Sequence, residues 1–516
     1  MADLRVKYIV DESVSTERGA SMMNMKVLTD LLQEVTYKKH CILQGMMITG
    51  VQYDSRKVEL GNLFVAIKGF ETDGHTYIRQ ALDNGAIAIL ISDEAYCSVE
   101  YPWILVEDSR LALAEMSSAF YGHPSEKLKL IGVTGTNGKT TTTNLICHII
   151  EAQGEKTGLI GTIHNRIGDR VLEGSRTTPE SLELQQLFAQ MVEEGIRYAV
   201  MEVSSHALEL QRVACCDFDV AVFTNLTQDH LDYHVTMENY CKAKTILFHM
   251  LGANGEKAGL QKTAVINIDD PWANQFMVAS NVPVVTYSMQ KDASWKAEHV
   301  QVGAEGVSYI VDEMPVQLHL TGNFNVYNSL AALAAGEALG FPVEDVIRAL
   351  EQVGGIAGRF QTVKEAKDYS VIVDYAHTPD GLENVISTAQ AFAKGRVITV
   401  FGCGGDRDRT KRPLMGEMAA KLSDYCVVTS DNPRTENPEQ ILQDILPGVE
   451  KHMQPETYHV EVDRRKAIHY AVQMAQPGDV VLLAGKGHEN YQDVNGVKHH
   501  FDDYEVAQEA IAEKQN

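Results

Sequence analysis

The chain reads as an α/β protein of three domains: a small α/β N-terminal domain, a central P-loop-type parallel sheet with helices, and a C-terminal Rossmann-like domain. Three observations point there. At 516 residues the chain exceeds what one hydrophobic core organises, and about three domains is the expectation. Short apolar runs alternate with helical periodicities, the grammar of parallel strands joined by crossover helices. Joints rich in Pro and Gly fall at Tyr121-Gly-His-Pro124-Ser-Glu-Lys and at Gly354-Gly-Ile-Ala-Gly358.

These joints divide the chain into residues 25–126, 127–356 and 357–516. Residues 1–24 are polar and lack the apolar period needed to offset ordering entropy, so they are expected to be a disordered extension or to precede a true start at Met25. A helical pattern is expected from there through Val27, Leu28, Leu31 and Leu32. In the central part, Lys129–Thr134 reads as a buried strand running into a glycine loop. The helix after it carries Leu145, Ile146, Ile149 and Ile150 on one face and stops at Gly154. Further strands are expected at 198–203, 219–224, 371–374, 397–401, 425–429 and 480–484. In such sheets ligands gather at the carboxyl ends of the strands, and the unusual motifs lie there.

Composition narrows the class of function. Hydrophobic residues make up 44% and charged residues 22%, as in ordinary globular enzymes. Acidic residues outnumber basic ones 70 to 45, a net charge of -25, which argues against a nucleic-acid or anionic-membrane surface. A local phosphate site remains open, because a few backbone amides and one Lys suffice. The eight cysteines include no C-x-x-C pair, so neither a zinc framework nor a disulfide scaffold is expected. With no apolar run of membrane-spanning length and no signal peptide pattern, the expected compartment is the cytoplasm.

The sharpest motif is Gly135-Thr136-Asn137-Gly138-Lys139-Thr140, placed directly after a strand and opening a helix. Its glycines let backbone N–H groups close around phosphate oxygens, Lys139 supplies positive charge, and Thr140 offers a hydroxyl to Mg²⁺. Val133 stands where the full P-loop pattern has Gly, so this is a shortened variant. Glu202 ends an apolar strand in Met201-Glu-Val-Ser-Ser-His206, and a carboxylate there can reach a metal held by Thr140. Asp229-His230-Leu-Asp232-Tyr-His234 follows the next strand, with Lys242 and Lys244 shortly after. Such a cluster either satisfies itself in the core or holds a second metal. In the last domain, Gly402-Cys-Gly404-Gly405-Asp-Arg407 resembles a dinucleotide turn only weakly, because Arg407 replaces the third glycine. Close backbone approach to a ligand, with Arg407 clamping a carboxylate, is the better expectation. Asp431-Asn432-Pro433-Arg434 and Gly485-Lys-Gly-His-Glu489 follow the next strands, and together these three strand ends read as a site for a zwitterion.

Taken in order, Gly135–Thr140, Glu202–His206, Thr224–His234, Gly322-Asn-Phe-Asn325-Val-Tyr-Asn328, Asp374-Tyr-Ala-His377-Thr-Pro and Gly485–Glu489 closely resemble the Mur ligase family, with the diaminopimelate-adding branch nearest in pattern. The likeness runs from about Met25 to the C-terminus. It implies an ATP-dependent ligase that adds meso-diaminopimelate to UDP-N-acetylmuramoyl-L-alanyl-D-glutamate through an acyl phosphate, in peptidoglycan precursor synthesis. It further implies that Gly135 to Thr141, with Asn325, Arg359 and Asp374, hold ATP. Thr140 and Glu202 would serve one Mg²⁺, and Glu202, His230 and a carbamylated Lys244 a second, with Lys139, Glu202, His230 and Lys244 as the catalytic set. Carbamylation would turn a repelled ammonium into an anionic oxygen ligand. By the same resemblance Ser55, Thr177, Thr178, Ser204 and Arg212 would hold the UDP-muramyl dipeptide. Arg407, Asp431, Asn432, Pro433, Arg434, Gly485 and Glu489 would hold diaminopimelate.

The chain departs from some members at Arg176, Leu210 and Phe70-Glu-Thr72, which bears on the nucleotide-sugar contacts. Rival readings are a lysine-adding version of the ligase, a folylpolyglutamate synthase-like ligase, and a nucleotide-dependent switch without chemistry. The joint presence of Lys139, Glu202, His230 and Lys244 speaks against the last.

Overall fold

A computed structural model describes residues 25–515, apart from 70, 71, 173, 175, 253, 254, 256, 258, 259, 304 and 305. The expectation for residues 1–24 and the departures at Phe70 and Glu71 therefore lie outside the described residues. The chain forms two compact units, Met1–Phe120 and Tyr121–Asn516.

The first unit is built on a five-stranded sheet in the order Lys39–Cys41, Trp103–Leu105, Ala88–Ile91, Asn62–Val65, Gly50–Gln52. All neighbours pair in parallel except Lys39–Cys41, which runs antiparallel to Trp103–Leu105. Near Met25 the helix is shorter than the periodicity predicts. Lys26–Val27 pairs antiparallel with Met47–Ile48, and that pairing takes the first residues of the pattern. Only Leu28–Leu31 is α-helical, with a 3-10 turn at Leu32–Glu34.

The second unit contains two large sheets. One has eleven strands, and its parallel centre runs Thr157–Ile160, Tyr198–Glu202, Lys129–Thr134, Val220–Phe223, Thr263–Asn267, Val284–Ser288. Antiparallel pairs extend both edges: Asn165–Ile167 and Arg170–Leu172 on one side, and on the other the Trp295–Leu318 meander, whose first strand joins Val284–Ser288 in parallel. The sequence reading had not foreseen them. The second sheet has six strands, Gln361–Thr362, Ser370–Asp374, Val480–Ala484, Val397–Phe401, Tyr425–Val428, Tyr458–Val460, parallel except for the first pair.

Strand register determines where the motifs emerge. Glu202 pairs with Val133 and Phe223 with Thr134, so the phosphate loop, Glu202 and Thr224 leave one edge of the sheet side by side. In the second sheet Asp374 pairs with Ala484 and Phe401 with Val428, which brings four further loops to one edge. The helix Lys139–Ala152 anchors the first of these edges. Leu145, Ile146, Ile149 and Ile150 are fully buried against the sheet and the helix Asn323–Ala338, each contributing roughly 1.5–3 kcal/mol by leaving water. Among the described residues no helix is long and apolar enough to cross a membrane.

Candidate active site

The carboxyl edges of both sheets in the second unit line a single cavity of about 660 Å³. Its floor is the loop before the helix Lys139–Ala152. Gly138 caps that helix at φ +85, and a Cβ there would lie 2.4 Å from Asn328 Oδ1, so glycine is required twice over. Asn137 N–H donates to Asn225 Oδ1 at 2.9 Å, and Thr224 Oγ1 donates to Asn137 O at 2.7 Å, clamping the loop to the neighbouring strand end. Asn137 Nδ2 also donates to Asp380 Oδ2 at 2.6 Å, which ties the loop to the first turn of Pro379–Phe392 under the second sheet.

Four consecutive threonines, 140 to 143, begin the helix, although β-branched residues are poor helix formers. Their hydroxyls explain the choice. Thr140 Oγ1 donates to Glu202 Oε2 at 3.1 Å, Thr142 Oγ1 to Asn328 Oδ1 at 3.4 Å, and Thr143 Oγ1 to Thr140 O at 3.0 Å. Glu202, almost fully buried, also accepts from Thr162 N–H and Thr162 Oγ1, both at 2.9 Å. Arg359 Nη2 donates to Thr140 Oγ1 at 2.9 Å, and its guanidinium lies 4.6 Å from the Tyr375 ring centre.

Half-buried Lys139 and buried Lys244 converge on one carbonyl: the Nζ of each donates to Gly135 O at 2.8 Å. Burial lowers the proton affinity of both amines. For Lys244 the nearby Lys139 adds to the effect and carries it well below the usual range. A neutral, nucleophilic amine is the form that can add carbon dioxide, so the site suits a carbamate at this position. His230 is pushed down to about 3 by burial, against the pull of Asp229, and is thereby kept neutral and able to ligate a metal. Burial would raise Asp229, but His230, Lys411 and His377 outweigh it and hold the carboxyl low.

Within the Asp229–His234 cluster, His234 takes the core alternative that the sequence left open. The short helix Leu231–His234 turns His234 away into the core, where Nε2 pairs with Ser205 Oγ at 2.9 Å and Nδ1 with Glu209 at 3.1 Å. Among the described residues no group of three His, Cys, Asp or Glu side chains is gathered for a metal. Thr140, Glu202, His230 and Lys244 line this cavity, and oxygen donors such as those of Thr140 and Glu202 beside a phosphate loop are of the kind that suits Mg²⁺.

At the other end of the cavity lie the loops of the second sheet. A Cβ on Gly404 would meet Arg434 Nη1 at 2.8 Å and Arg407 Cγ at 3.9 Å, so both arginines flank this glycine. Desolvation and then the adjacent Arg434 lower the proton affinity of Arg407. Gly405 is forced by the chain itself, since a Cβ would lie 1.9 Å from Pro433 O. Gly405 thus makes its close approach to the 431–434 loop, while Gly404 lines the cavity. Asp431 is buried; burial would raise its carboxyl, but Lys486, Arg464 and Arg434 bring it below the usual range. Glu489 accepts from Asn432 Nδ2 at 2.8 Å and from Lys486 Nζ at 3.1 Å.

The cavity gathers Thr136 to Thr141, Thr177, Glu202, Ser204, His230, Lys244, Arg359, Asp374, Arg407, Asp431, Asn432, Arg434, Gly485 and Glu489 of the expected set. Asn325 sits beneath the surface, donating to Thr321 O at 2.9 Å, and Asn328 one turn on takes its place at the wall. Gly135, Thr178, Arg212 and Pro433 support the wall from behind: Thr178 Oγ1 donates to Glu202 O at 2.8 Å, and Arg212 pairs with Glu180 at 3.0 Å. Arg176 pairs with the same Glu180. Ser55, in the first unit, donates to Gln80 Oε1 at 2.7 Å. Thr162, Asp380, Asn328 and Lys411 line the cavity without having been singled out. For Asn328 and Asp380 a signal existed, since one closes the Gly322 motif and the other follows Thr378-Pro379.

Three family models match the chain: the Mur ligase middle domain over 133–336, the Mur ligase glutamate ligase domain over 358–487, and the Mur ligase family catalytic domain over 47–121. A Bacillus cereus UDP-N-acetylmuramoyl-L-alanyl-D-glutamate--2,6-diaminopimelate ligase is 48% identical over 473 residues, 91% of this chain and 95% of that one. The chain belongs to the Mur ligase family. As a Mur ligase, it also aligns with the Geobacillus kaustophilus protein of the same name at 50% identity over 472 residues, 90% of this chain and 95% of that one. A solved 2,6-diaminopimelate ligase of this kind superposes with a TM-score of 0.67 at 34% identity, covering 95% of this chain and all 100% of its own. The folylpolyglutamate synthase of Mycobacterium tuberculosis shares the fold alone, with a TM-score of 0.59 at 18% identity over 73% of this chain and 92% of its own.

Proposed function

We propose that this Mur ligase uses ATP to join meso-diaminopimelate to UDP-N-acetylmuramoyl-L-alanyl-D-glutamate, as a cytoplasmic step in peptidoglycan precursor synthesis. The names of the relatives support the substrates. The observation that carries the reading is one cavity with a phosphate loop at one end and paired guanidinium groups at the other. Diaminopimelate resembles lysine with a second carboxylate on its far carbon, and a planar guanidinium fork suits that group. Asp431 and Glu489 balance the adjacent ammonium.

In this reading the D-glutamyl carboxylate oxygen attacks the γ-phosphorus of ATP, and ADP leaves. The free amine then attacks the acyl carbon, phosphate is expelled, and the amine's proton goes to solvent or a base. Lys139 and the backbone N–H groups of the 135–141 loop hold the phosphates in line, while Asn325 (through Asn328), Arg359 and Asp374 shape the nucleotide side. Bound Mg²⁺ would spread the charge on the transferring phosphoryl group. Thr140 and Glu202 would hold one ion, and Glu202, His230 and a carbamylated Lys244 another. Thr177, Thr178, Ser204 and Arg212 would orient the UDP-muramyl dipeptide, and Ser55 is assigned to the same substrate by the family resemblance alone. Enclosure of the acyl phosphate keeps water from hydrolysing it. The test is a heavy-oxygen label in the D-glutamyl carboxylate. Transfer of one labelled oxygen to the released phosphate is expected, and unlabelled phosphate would contradict the acyl phosphate.

A further inference from the structure

The geometry points to Glu436 as a positioning residue that fixes the spacing of Arg407 and Arg434 and thereby sharpens selectivity for a dicarboxylic over a monocarboxylic amino acid. This rests on the proposed function. The two arginines stand on loops from different strand ends, after Val397–Phe401 and after Tyr425–Val428. Both flank Gly404, and two cations so placed repel one another. Left alone, loops under that repulsion would spread.

Glu436 prevents this from outside the cavity. Its carboxylate accepts Asp406 N–H at 2.6 Å and Arg409 Nη2 at 2.6 Å, both on the Arg407 loop, while its own backbone continues the Arg434 loop. Fully buried Arg412 grips the same carboxylate through Nη1 at 3.1 Å and Nη2 at 2.8 Å, and Nη2 also reaches Gly404 O at 3.3 Å. A reciprocal bridge runs the other way: the Asp406 carboxylate accepts Thr435 N–H at 3.1 Å and Thr435 Oγ1 at 2.8 Å. Arg434 Nη1 donates to Gly405 O at 2.6 Å within this frame. Arg412 above all, then the Asp406 N–H, push the Glu436 carboxyl down to about 2, so the rivet stays charged at working pH.

Glu436→Gln keeps the shape and removes the charge. The KM for diaminopimelate should rise about tenfold, because charge-assisted bonds hold the frame, while the KM for ATP stays within about twofold. With lysine as acceptor, kcat/KM should fall less than about threefold, so the diaminopimelate-to-lysine ratio drops. Glu436→Asp, which restores the charge, should recover part of the ratio. An equal rise in the KM values for diaminopimelate and ATP, or an unchanged ratio, overturns the inference. If Glu436→Gln fails to fold, Thr435→Val, which removes only the hydroxyl bridge, must show the same skew at about threefold; its absence is equally decisive. Wild-type enzyme showing no diaminopimelate-dependent turnover would overturn the functional reading itself, and the two failures are thus distinguishable.

Discussion

Glu202→Gln separates the chemistry from the fold. Three donors meet the Glu202 carboxylate: Thr162 N–H on Oε1, and the hydroxyls of Thr140 and Thr162 on Oε2, at 2.9 to 3.1 Å. Glutamine keeps the first acceptor. Its NH₂ group then faces two hydroxyl oxygens: Thr162 Oγ1 can turn its proton to Thr177 Oγ1, 3.1 Å away, while the Thr140 hydroxyl, which already accepts from Arg359, loses its acceptor. The structural loss combines charge-assisted bonds turned neutral with one hydroxyl deprived of its acceptor, about 1–3 kcal/mol, and in a unit this large Tm should fall by only about 1–4 °C. The functional loss is larger, because the anionic charge facing the phosphate loop disappears. Removing one such electrostatic partner costs roughly 3–4 kcal/mol of transition-state stabilisation, or about 10²–10³ in kcat. ADP release at saturating substrates, with scanning calorimetry on the same preparation, measures both. A kcat within tenfold of wild type would refute the role of Glu202, and a collapse of Tm would show that the site is structural.

Other consequences follow from the same geometry. Lys244→Ala should lose at least about a hundredfold in kcat and regain part of it with small carboxylic acids that fill the vacated anionic position; full activity without them would remove the carbamate from the mechanism. Gly138→Ala should raise the KM for ATP at least about tenfold, since the φ of +85 and the 2.4 Å approach to Asn328 both resist a methyl group, as a nucleotide titration would detect. The folded Glu436 carboxyl is held at about 2, below its ordinary 4.5, so its stabilising contribution is complete above pH 4.5 and fades as pH falls toward 2. The Tm gap between wild type and Glu436→Gln should therefore be constant near neutrality and close in acid; a gap that persists at pH 2 would contradict the ion pairs.

The parallel-sheet grammar and the phosphate loop were legible because both are local. A strand, a glycine turn and a G-K-T triplet occupy consecutive residues, and register then carries Glu202 to its place beside Val133. Contacts made through space left no such trace. Thr162 reaches Glu202 across 40 residues and Asp380 reaches Asn137 across 243, and no spacing rule announces either. Gly404 and Gly405 showed that something approaches closely, and glycine alone cannot say whether that is ligand or chain. The Asp229–His234 pattern left two alternatives open for its histidines, core or ligand, for a related reason. Composition placed the ligating side chains together, and a single helical turn after His230 sent His234 to the core instead. At one edge of the central sheet the three-residue strands Asn165–Ile167 and Arg170–Leu172 are too short to show apolar alternation, whereas Met314–Leu318 at the other edge does alternate and was legible in principle.

The most direct test is ADP release with diaminopimelate and with lysine, each in the presence of ATP and the UDP-muramyl dipeptide, for wild type and Arg434→Ala. Lysine would leave Arg434 an unpaired charge in an enclosed site, a cost of roughly 2–5 kcal/mol. Wild type should therefore prefer diaminopimelate by at least about a hundredfold in kcat/KM, and Arg434→Ala should erase most of that preference. Equal use of lysine by the wild-type enzyme would contradict the assignment of this cavity to diaminopimelate.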